Sequence, residues 1–424
     1  MTPAQTRTIE EVTDTLIDYR GKTPAKTKSG IKLITAKVIK DGRILDGEHE
    51  YIPENVYNSW MRRGLPRQHD ILVTTEAPLG EVAILRASEK IALAQRVILL
   101  RGKPSIIDQK YYFYAIRSPF VQTELKARSS GTTVLGIKQS ELRQVRIPYH
   151  DLLVQRKIAS ILSPHDDLIE NNAQRIKILE DMAQTIYREW FVYYRFPGHE
   201  NGKLVNSPLG KMPEGWNVRE MKEVAEVIDC LHSKKPTAVT DGTGILLQLF
   251  NIADGGKIDL SKKYLISESD YELWTRRIEV SEGDCIVTNV GRIAAVAQIP
   301  SGIRAALGRN ITAIRPKPGI LTPTFLIEYL LSPIMRSEVE RKKDAGTVMD
   351  SLNVKGIVRL AVPIPPFELM TTFEQITRPL RRLIELLVEQ NAHLRRTRDL
   401  LLPKLISGDV DVSDLDIRER DSVQ

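Results

Sequence analysis

The pattern of apolar and polar positions changes period twice along this chain, in the same order each time. Residues 70–85 and 284–298 are runs rich in β-branched side chains, broken by Pro78 and Gly80 in one case and by Gly291 in the other. Residues 97–101 and 311–315 add further strand-like runs. Helical stretches follow at 111–127 and 323–342, each interrupted by a Ser-Pro pair. Near Pro148, and again near Pro365-Pro366, the pattern passes to a long helical repeat. In the first, Ile158, Leu162, His165, Ile169, Asn172, Ile176, Leu179, Ala183, Ile186 and Trp190 alternate spacings of four and three. In the second, Phe373, Leu380, Leu387, Leu394 and Leu401 recur every seven residues, with Ile384, Asn391 and Leu405 in the companion position. Such helices reach about 60 Å at 1.5 Å per residue, the length of a rod or spacer. Pro164 is expected to kink or restart the first.

The two halves also repeat as text. Gly30, Ile31, Leu33, Gly42 and Ile44 fall on Gly244, Ile245, Leu247, Gly256 and Ile258 at a constant offset of 214. At that offset Tyr57 and Trp60 meet Tyr271 and Trp274, Arg62-Arg63 meet Arg276-Arg277, and the Asp70 to Thr74 run meets Asp284 to Thr288. Chance similarity between two generic sheet proteins would give drifting offsets. The expected fold class is therefore α+β: two tandem β-rich domains, each followed by a long helix, with an internal pseudo-twofold repeat and the two helices pairing as an antiparallel coiled coil. Asn172 and Asn391 are polar residues in apolar seams, where an amide selects register because it needs a partner. They occupy different seam positions, which antiparallel pairing apposes; a surface location through an error of frame is the alternative.

Charge and composition narrow the classes. Lys and Arg number 61 against 54 Asp and Glu, a formal +7 that favours a polyanionic partner without proving one. No run of residues is long and apolar enough for a membrane span. The opening residues carry no secretory pattern, and two cysteines cannot build a disulfide framework, so a soluble protein in a reducing cytoplasm is expected.

Two signatures carry a family resemblance. Ile147-Pro148, Val154-Gln155-Arg156-Lys157-Ile158-Ala159, Glu170-Asn171-Asn172 and Tyr187-Arg188-Glu189-Trp190-Phe191 resemble the central region of type I restriction-modification specificity subunits. The run from Arg398 through Leu402-Pro403-Lys404 to Gly408 resembles their closing motif. In the second copy Glu374-Gln375 is displaced relative to Gln155-Arg156-Lys157, which blurs the start of the second helix. The resemblance implies target-recognition domains at 1–149 and 210–364 and helical spacers at 150–196 and 365–408. A linker at 197–209 and an acidic, disordered tail at 409–424 complete the map. Each domain would read one half of a bipartite double-stranded DNA site. The helices would dock two methyltransferase subunits, with two restriction/translocase subunits beyond. The resemblance also implies that S-adenosylmethionine, ATP and Mg belong to those partners, with no cofactor in this chain.

Three enzymatic readings fail on the residues themselves. An adenine methyltransferase needs a polar residue ahead of Pro-Pro-aromatic, and Pro365-Pro366-Phe367 is preceded by Ile364, which cannot hold an amino group. Gly255-Gly256-Lys257 lacks the earlier glycine and the Ser/Thr of a phosphate loop. The seven histidines show no metal-ligand spacing, and no metal is expected. A coiled-coil scaffold binding protein through its β-rich domains is the alternative from another class.

Base reading requires Arg, Lys, Asn or Gln on exposed loops, with Ser, Thr and Lys for phosphates. The candidates in the first copy are Lys22, Thr23, Lys37, Thr74, Thr75, Glu76, Gln95, Arg96, Thr132, Thr133 and Lys138. In the second they are Lys234, Lys235, Asn251, Thr288, Asn289, Arg292, Arg309, Asn310 and Lys355. Arg62-Arg63 and Arg276-Arg277 suit phosphates or acids within their own domain. Helix seam and partner docking fall to Ile169, Asn172, Ile176, Leu179, Ile186, Leu380, Leu387, Asn391, Leu394 and Leu401.

Overall fold

The computed structural model describes residues 5–19, 23–45, 47, 49–86, 90–344 and 351–416. The chain divides into two compact units, Met1–Leu168 with Leu394–Gln424, and Ile169–His393. In the first, an antiparallel four-stranded sheet runs in the order Thr13–Asp18, Val97–Gly102, Ile71–Thr75, Leu79–Ile84. Its central strands are buried on both faces. Ile71, Val73, Ile98 and Leu100 turn toward the helices, whereas Leu72, Val97 and Leu99 turn toward a smaller sheet. Successive side chains of a strand face opposite ways, so double burial converts an alternating pattern into the continuous apolar run seen in the sequence. The smaller sheet is Glu50–Ile52, Ile31–Ile34, Ile91–Leu93, its second pairing parallel.

The second unit has the same strand order: Ala225–Asp229, Ile311–Pro316, Cys285–Thr288, Val296–Gln298, beside Leu265–Ile266, Gly244–Leu247, Ala305–Leu307. Here too the pairing of Gly244–Leu247 with Ala305–Leu307 is parallel. Cys285, Val287 and Ile314 face the helical core, and Ile286, Ile311 and Ala313 face the other way.

Each Ser-Pro pair ends one helix and starts the next. Gln109–Arg117 gives way to Pro119–Ala127 at Ser118, and Pro323–Leu331 to Pro333–Lys342 at Ser332. Both serines cap the following helix through their hydroxyls, and both prolines occupy a first-turn position where a missing N–H costs nothing. The long helices are Leu152–Tyr187, continued by a π-helical turn at Arg188–Val192, and Phe367–Ser407. Contrary to expectation, the first does not restart at Pro164, which lies inside it. Ile158 and Leu162 before the proline and Ile169 after it are buried, so packing holds both sides of the missing hydrogen bond.

The displaced Glu374 has a clear place. Gln155 Oε1 accepts the Asp108 N–H at 2.8 Å, at the start of one helix, and Glu374 Oε2 accepts the Thr324 N–H at 2.8 Å, at the start of its counterpart. Both side chains satisfy an amide that the helix leaves without an internal partner. Past the second long helix, Val412 is buried in the core of the first unit, although acidic composition marks that stretch as a tail; residues 417–424 lie outside the described ones.

Candidate nucleic-acid interface

A partly buried brace ties the two central strands of each large sheet together at one end. Arg101 donates to Asp70 from Nε at 2.7 Å and Nη2 at 2.6 Å, and Arg315 donates to Asp284 from Nε at 2.9 Å and Nη2 at 2.6 Å. Asp70 and Asp284 are buried, and the two-pronged geometry holds the strand-to-strand register rigidly. The offset of 214 holds for both partners, a signal in the sequence that residue-type reasoning passes over.

At the opposite end of these strands the units differ in chemistry on one backbone plan. The Thr75 N–H donates to Arg96 O at 3.0 Å and Thr75 O accepts the Ile137 N–H at 3.0 Å. Likewise the Asn289 N–H donates to Asn310 O at 2.9 Å, and Asn289 O accepts the Leu352 N–H at 2.9 Å. In the first unit Arg96 Nη2 meets Glu76 Oε1 at 3.1 Å, both half in solvent, and Glu76 bridges to Gly136. Gly136 closes a hairpin with Ser130 whose exposed tip carries Thr132, Thr133, Val134 and Leu135. Lys138, at the start of the short helix Gln139–Arg143, is exposed, and Gln95 is half-buried. In the second unit the equivalent crossing holds exposed Arg309, half-buried Asn310 in a left-handed conformation (φ 65°), and exposed Lys355 on the turn Val354–Ile357.

Several candidates are framework rather than surface. Thr74 and Thr75 are buried, and Thr74 Oγ1 accepts the Glu81 N–H at 2.9 Å. Thr288 is buried, accepts the Ala295 N–H at 3.0 Å and donates to Arg292 O. Asn289 donates to Thr312 Oγ1 at 3.0 Å and Leu352 O at 2.9 Å. Asn251, fully buried, donates to Asp259 O at 2.7 Å and Lys262 O at 2.9 Å and accepts the Gln248 N–H at 2.9 Å. Side chains engaged in this way cannot present an amide or hydroxyl to a groove without breaking buried hydrogen bonds. Lys22 lies outside the described residues; Thr23, Lys37, Lys234 and Lys235 are exposed. Arg292 is exposed, donates to Ile252 O at 2.9 Å and pairs with Asp254. Of the shared arginine pairs, Arg63 reaches Asp18 O and Arg277 reaches Cys230 O at 2.9 Å, while Arg62 and Arg276 are exposed.

Sequence reasoning missed one cluster. Ligand atoms of Asp229, Cys230 and His232 lie within 4.8 Å of one another, and His232 Nε2 is 2.7 Å from Asp229 Oδ2. Arg277 stands 4.0 Å from the same carboxylate oxygen and supplies the positive charge that a metal ion would bring.

Each unit ties its helices with buried charge. In the first, Asp166 meets Arg117 at 3.4 Å, Arg398, and the Tyr114 hydroxyl at 2.7 Å. Burial works against this carboxylate, yet Arg117, Arg398 and Tyr114 together hold its pKa below the ordinary value. In the second, Arg381 donates to Glu328 from Nε at 2.7 Å and to Gly255 O at 2.9 Å, and Gln184 also meets Glu328. Asn172 Nδ2 lies 3.0 Å from Asn391 Oδ1 and 3.0 Å from Gln390 Oε1, and Asn391 donates to Ile169 O at 3.3 Å. Ile176 packs with Ile384 and Leu387, and Leu179 lies against them, while Tyr187 and Trp190 meet Phe373. Contacts therefore run in opposite order along the two helices of this unit. Ile186 is partly buried against the helical core. Leu380, Leu394 and Leu401 are only half-buried, and Arg381, Arg398 and Leu402 take the inner positions instead. An α-helix of 3.6 residues per turn drifts against a strict repeat of seven, which turns Arg381 and Leu402, one residue past Leu380 and Leu401, inward, while Arg398 lies on the companion position between Asn391 and Leu405.

Comparison with known proteins places this architecture. Residues 4–181 match the family model described as a type I restriction modification DNA specificity domain. The match joins this chain by similarity to type I restriction-modification specificity subunits. The MjaIX specificity subunit of Methanocaldococcus jannaschii is 27% identical over 350 residues, covering 81% of this chain and 78% of that protein. The EcoBI specificity subunit of Escherichia coli is 22% identical over 358 residues, covering 80% and 71%. Among solved structures, the S subunit of a type I system from M. genitalium shares the fold with a TM-score of 0.55, at 16% identity and covering 96% of this chain and 99% of that one. Among the described residues no helix is long and apolar enough to cross a membrane.

Proposed function

We propose that this specificity subunit reads DNA and performs no chemistry itself: domains 1–149 and 210–364 each recognise one half of a bipartite double-stranded site. The long helices, paired as an antiparallel coiled coil about an internal pseudo-twofold, set the gap between half-sites and dock two adenine methyltransferase subunits, with two restriction/translocase subunits beyond. S-adenosylmethionine, ATP and Mg are bound by those partners, in the cytoplasm. The observation that supports this most is a shared strand order and a shared Asp-Arg brace carrying different side chains at the same strand ends: Glu76 with Arg96 in one unit, Arg309 and Asn310 in the other. Two readers of different sequences need a constant scaffold and variable contacts. The opposed contact order between the helices of the second unit supports the pairing.

The test is reconstitution. The purified chain is expected to transfer no methyl group from S-adenosylmethionine to DNA, and to confer adenine methylation at a split motif when the methyltransferase subunit is added. Turnover by the isolated chain, or methylation by the partner alone at the same motif, would overturn the assignment.

A further inference from the structure

The second unit carries a cluster of exposed lysines on two adjoining segments. Tyr264 donates from its hydroxyl to Pro236 O at 2.6 Å, and the Val239 N–H donates to Leu265 O at 3.0 Å, so the 235–239 segment lies along 264–265. Lys234 and Lys235 project from the first segment, Lys262 and Lys263 from the second, and all four are exposed. Lys235 Nζ stands 3.9 Å from the centre of the Tyr264 ring, and Lys262 Nζ 5.1 Å from that of Phe250, itself 48% exposed. Ring contacts of this kind orient an ammonium without neutralising it. The backbone beneath is fixed: buried Asn251 holds the carbonyls of Asp259 and Lys262, and Asp259 Oδ1 accepts the Ser261 N–H at 2.8 Å. Four like charges on neighbouring segments repel one another, and a polyanion relieves that repulsion.

The matching strand in the first copy lacks the lysine pair. Ile245 opposes Leu265 where Ile31 opposes Ile52, so Tyr264 matches Tyr51 and Lys262-Lys263 match His49-Glu50, and Glu50 pairs with Lys26 at 2.8 Å. The Lys262-Lys263 pair is thus a property of one reader and not of the scaffold.

We infer that Lys234, Lys235, Lys262 and Lys263 grip the DNA phosphates at the half-site read by the second domain, with Asn251 as the residue that positions the Lys262 loop. The inference rests on the DNA-reading role above. Each phosphate neutralised releases condensed counterions, so the logarithm of the binding constant falls with the logarithm of salt by about 0.9 per contact. Fluorescence anisotropy of the complete methyltransferase complex, with a labelled duplex carrying the motif it modifies, gives that slope. Lys262→Ala/Lys263→Ala should flatten it by about 2 and the fourfold alanine variant by about 4, while Lys262→Arg/Lys263→Arg leaves it unchanged. Lys203→Ala/Lys211→Ala removes the same charge from exposed positions elsewhere in the unit and should leave the slope as it is. Equal flattening by the Lys203/Lys211 variant, or an unchanged slope in the fourfold variant, would overturn the grip while leaving DNA reading intact. Absence of motif-dependent binding by the unaltered complex at any salt would instead overturn the DNA-reading role with it.

Discussion

Replacing Glu328 by glutamine should unfold the second unit far more readily than an exposed substitution would. Arg381 is 6% exposed and Glu328 is fully buried; one guanidinium engages the carboxylate through two nitrogens and Gly255 O through a third. Glu328→Gln leaves the guanidinium buried opposite a neutral amide, and Arg381→Met leaves the carboxylate opposite the Gln184 amide. Removing one partner of a buried pair destabilises by about 3–5 kcal/mol, since the remaining charge has lost its compensation. Replacing both, Glu328→Leu with Arg381→Met, removes the charge problem and should return stability to within about 1–2 kcal/mol of the parent. Urea unfolding followed by tryptophan fluorescence reads this directly: Trp190, Trp216 and Trp274 lie in the second unit and Trp60 in the first, so a Trp60→Phe background isolates the signal. With a denaturant slope of about 3 kcal/mol per molar, each single change should lower the midpoint by about 1–1.7 M. Single variants that shift it by less than about 0.3 M, or a double variant as unstable as the sum of the singles, would refute the reasoning.

Further outcomes follow from the same contacts. Asn172→Ala leaves the Asn391 amide oxygen buried without its donor and should cost about 1–3 kcal/mol, which Asn172→Leu/Asn391→Leu recovers; equal loss in both, by the same unfolding assay, would exclude a paired role. Gln155→Glu places a carboxylate against the carbonyls of Ile106 and His150, which Gln155 Nε2 reaches at 3.1 and 2.7 Å, and should destabilise the first unit by about 2 kcal/mol or more. Glu374→Gln keeps its accepting oxygen and should cost under about 1 kcal/mol, so comparable thermal losses would contradict both assignments. Because the Asp166 carboxyl titrates below its unfolded value, its stabilisation is complete above about pH 4 and is lost as pH falls through the folded value. The gap between parent and Asp166→Asn, followed by Trp60 fluorescence, should therefore narrow on acidification, and a constant gap would show that the carboxylate is unpaired in solution.

Much of the architecture was legible because it rests on spacing. The constant offset that joins Trp60 to Trp274 and Asp70 to Asp284 maps strand onto strand, and the Ser-Pro interruptions fall where one helix gives way to the next. What was not legible depends on partners distant in sequence. Asn251 and Asn289 have the residue type of base readers, but nothing local reveals that each bonds backbone buried beneath its loop. Arg381, one step off the leucine repeat, and Arg398, on its companion position, look like solvated charge until Glu328 and Asp166 are brought against them. Composition likewise hides Val412, which is buried in the core while its neighbours Val410 and Leu415, also among aspartates, are exposed.

The central claim, two independent readers on one scaffold, is tested most directly by exchanging residues 210–364 for the corresponding domain of a relative and sequencing the methylated sites made by the reconstituted complex. The account predicts a motif with one half changed, the other half and the intervening gap retained. A change in both halves together would contradict it, because recognition would then belong to a surface that the two domains form jointly.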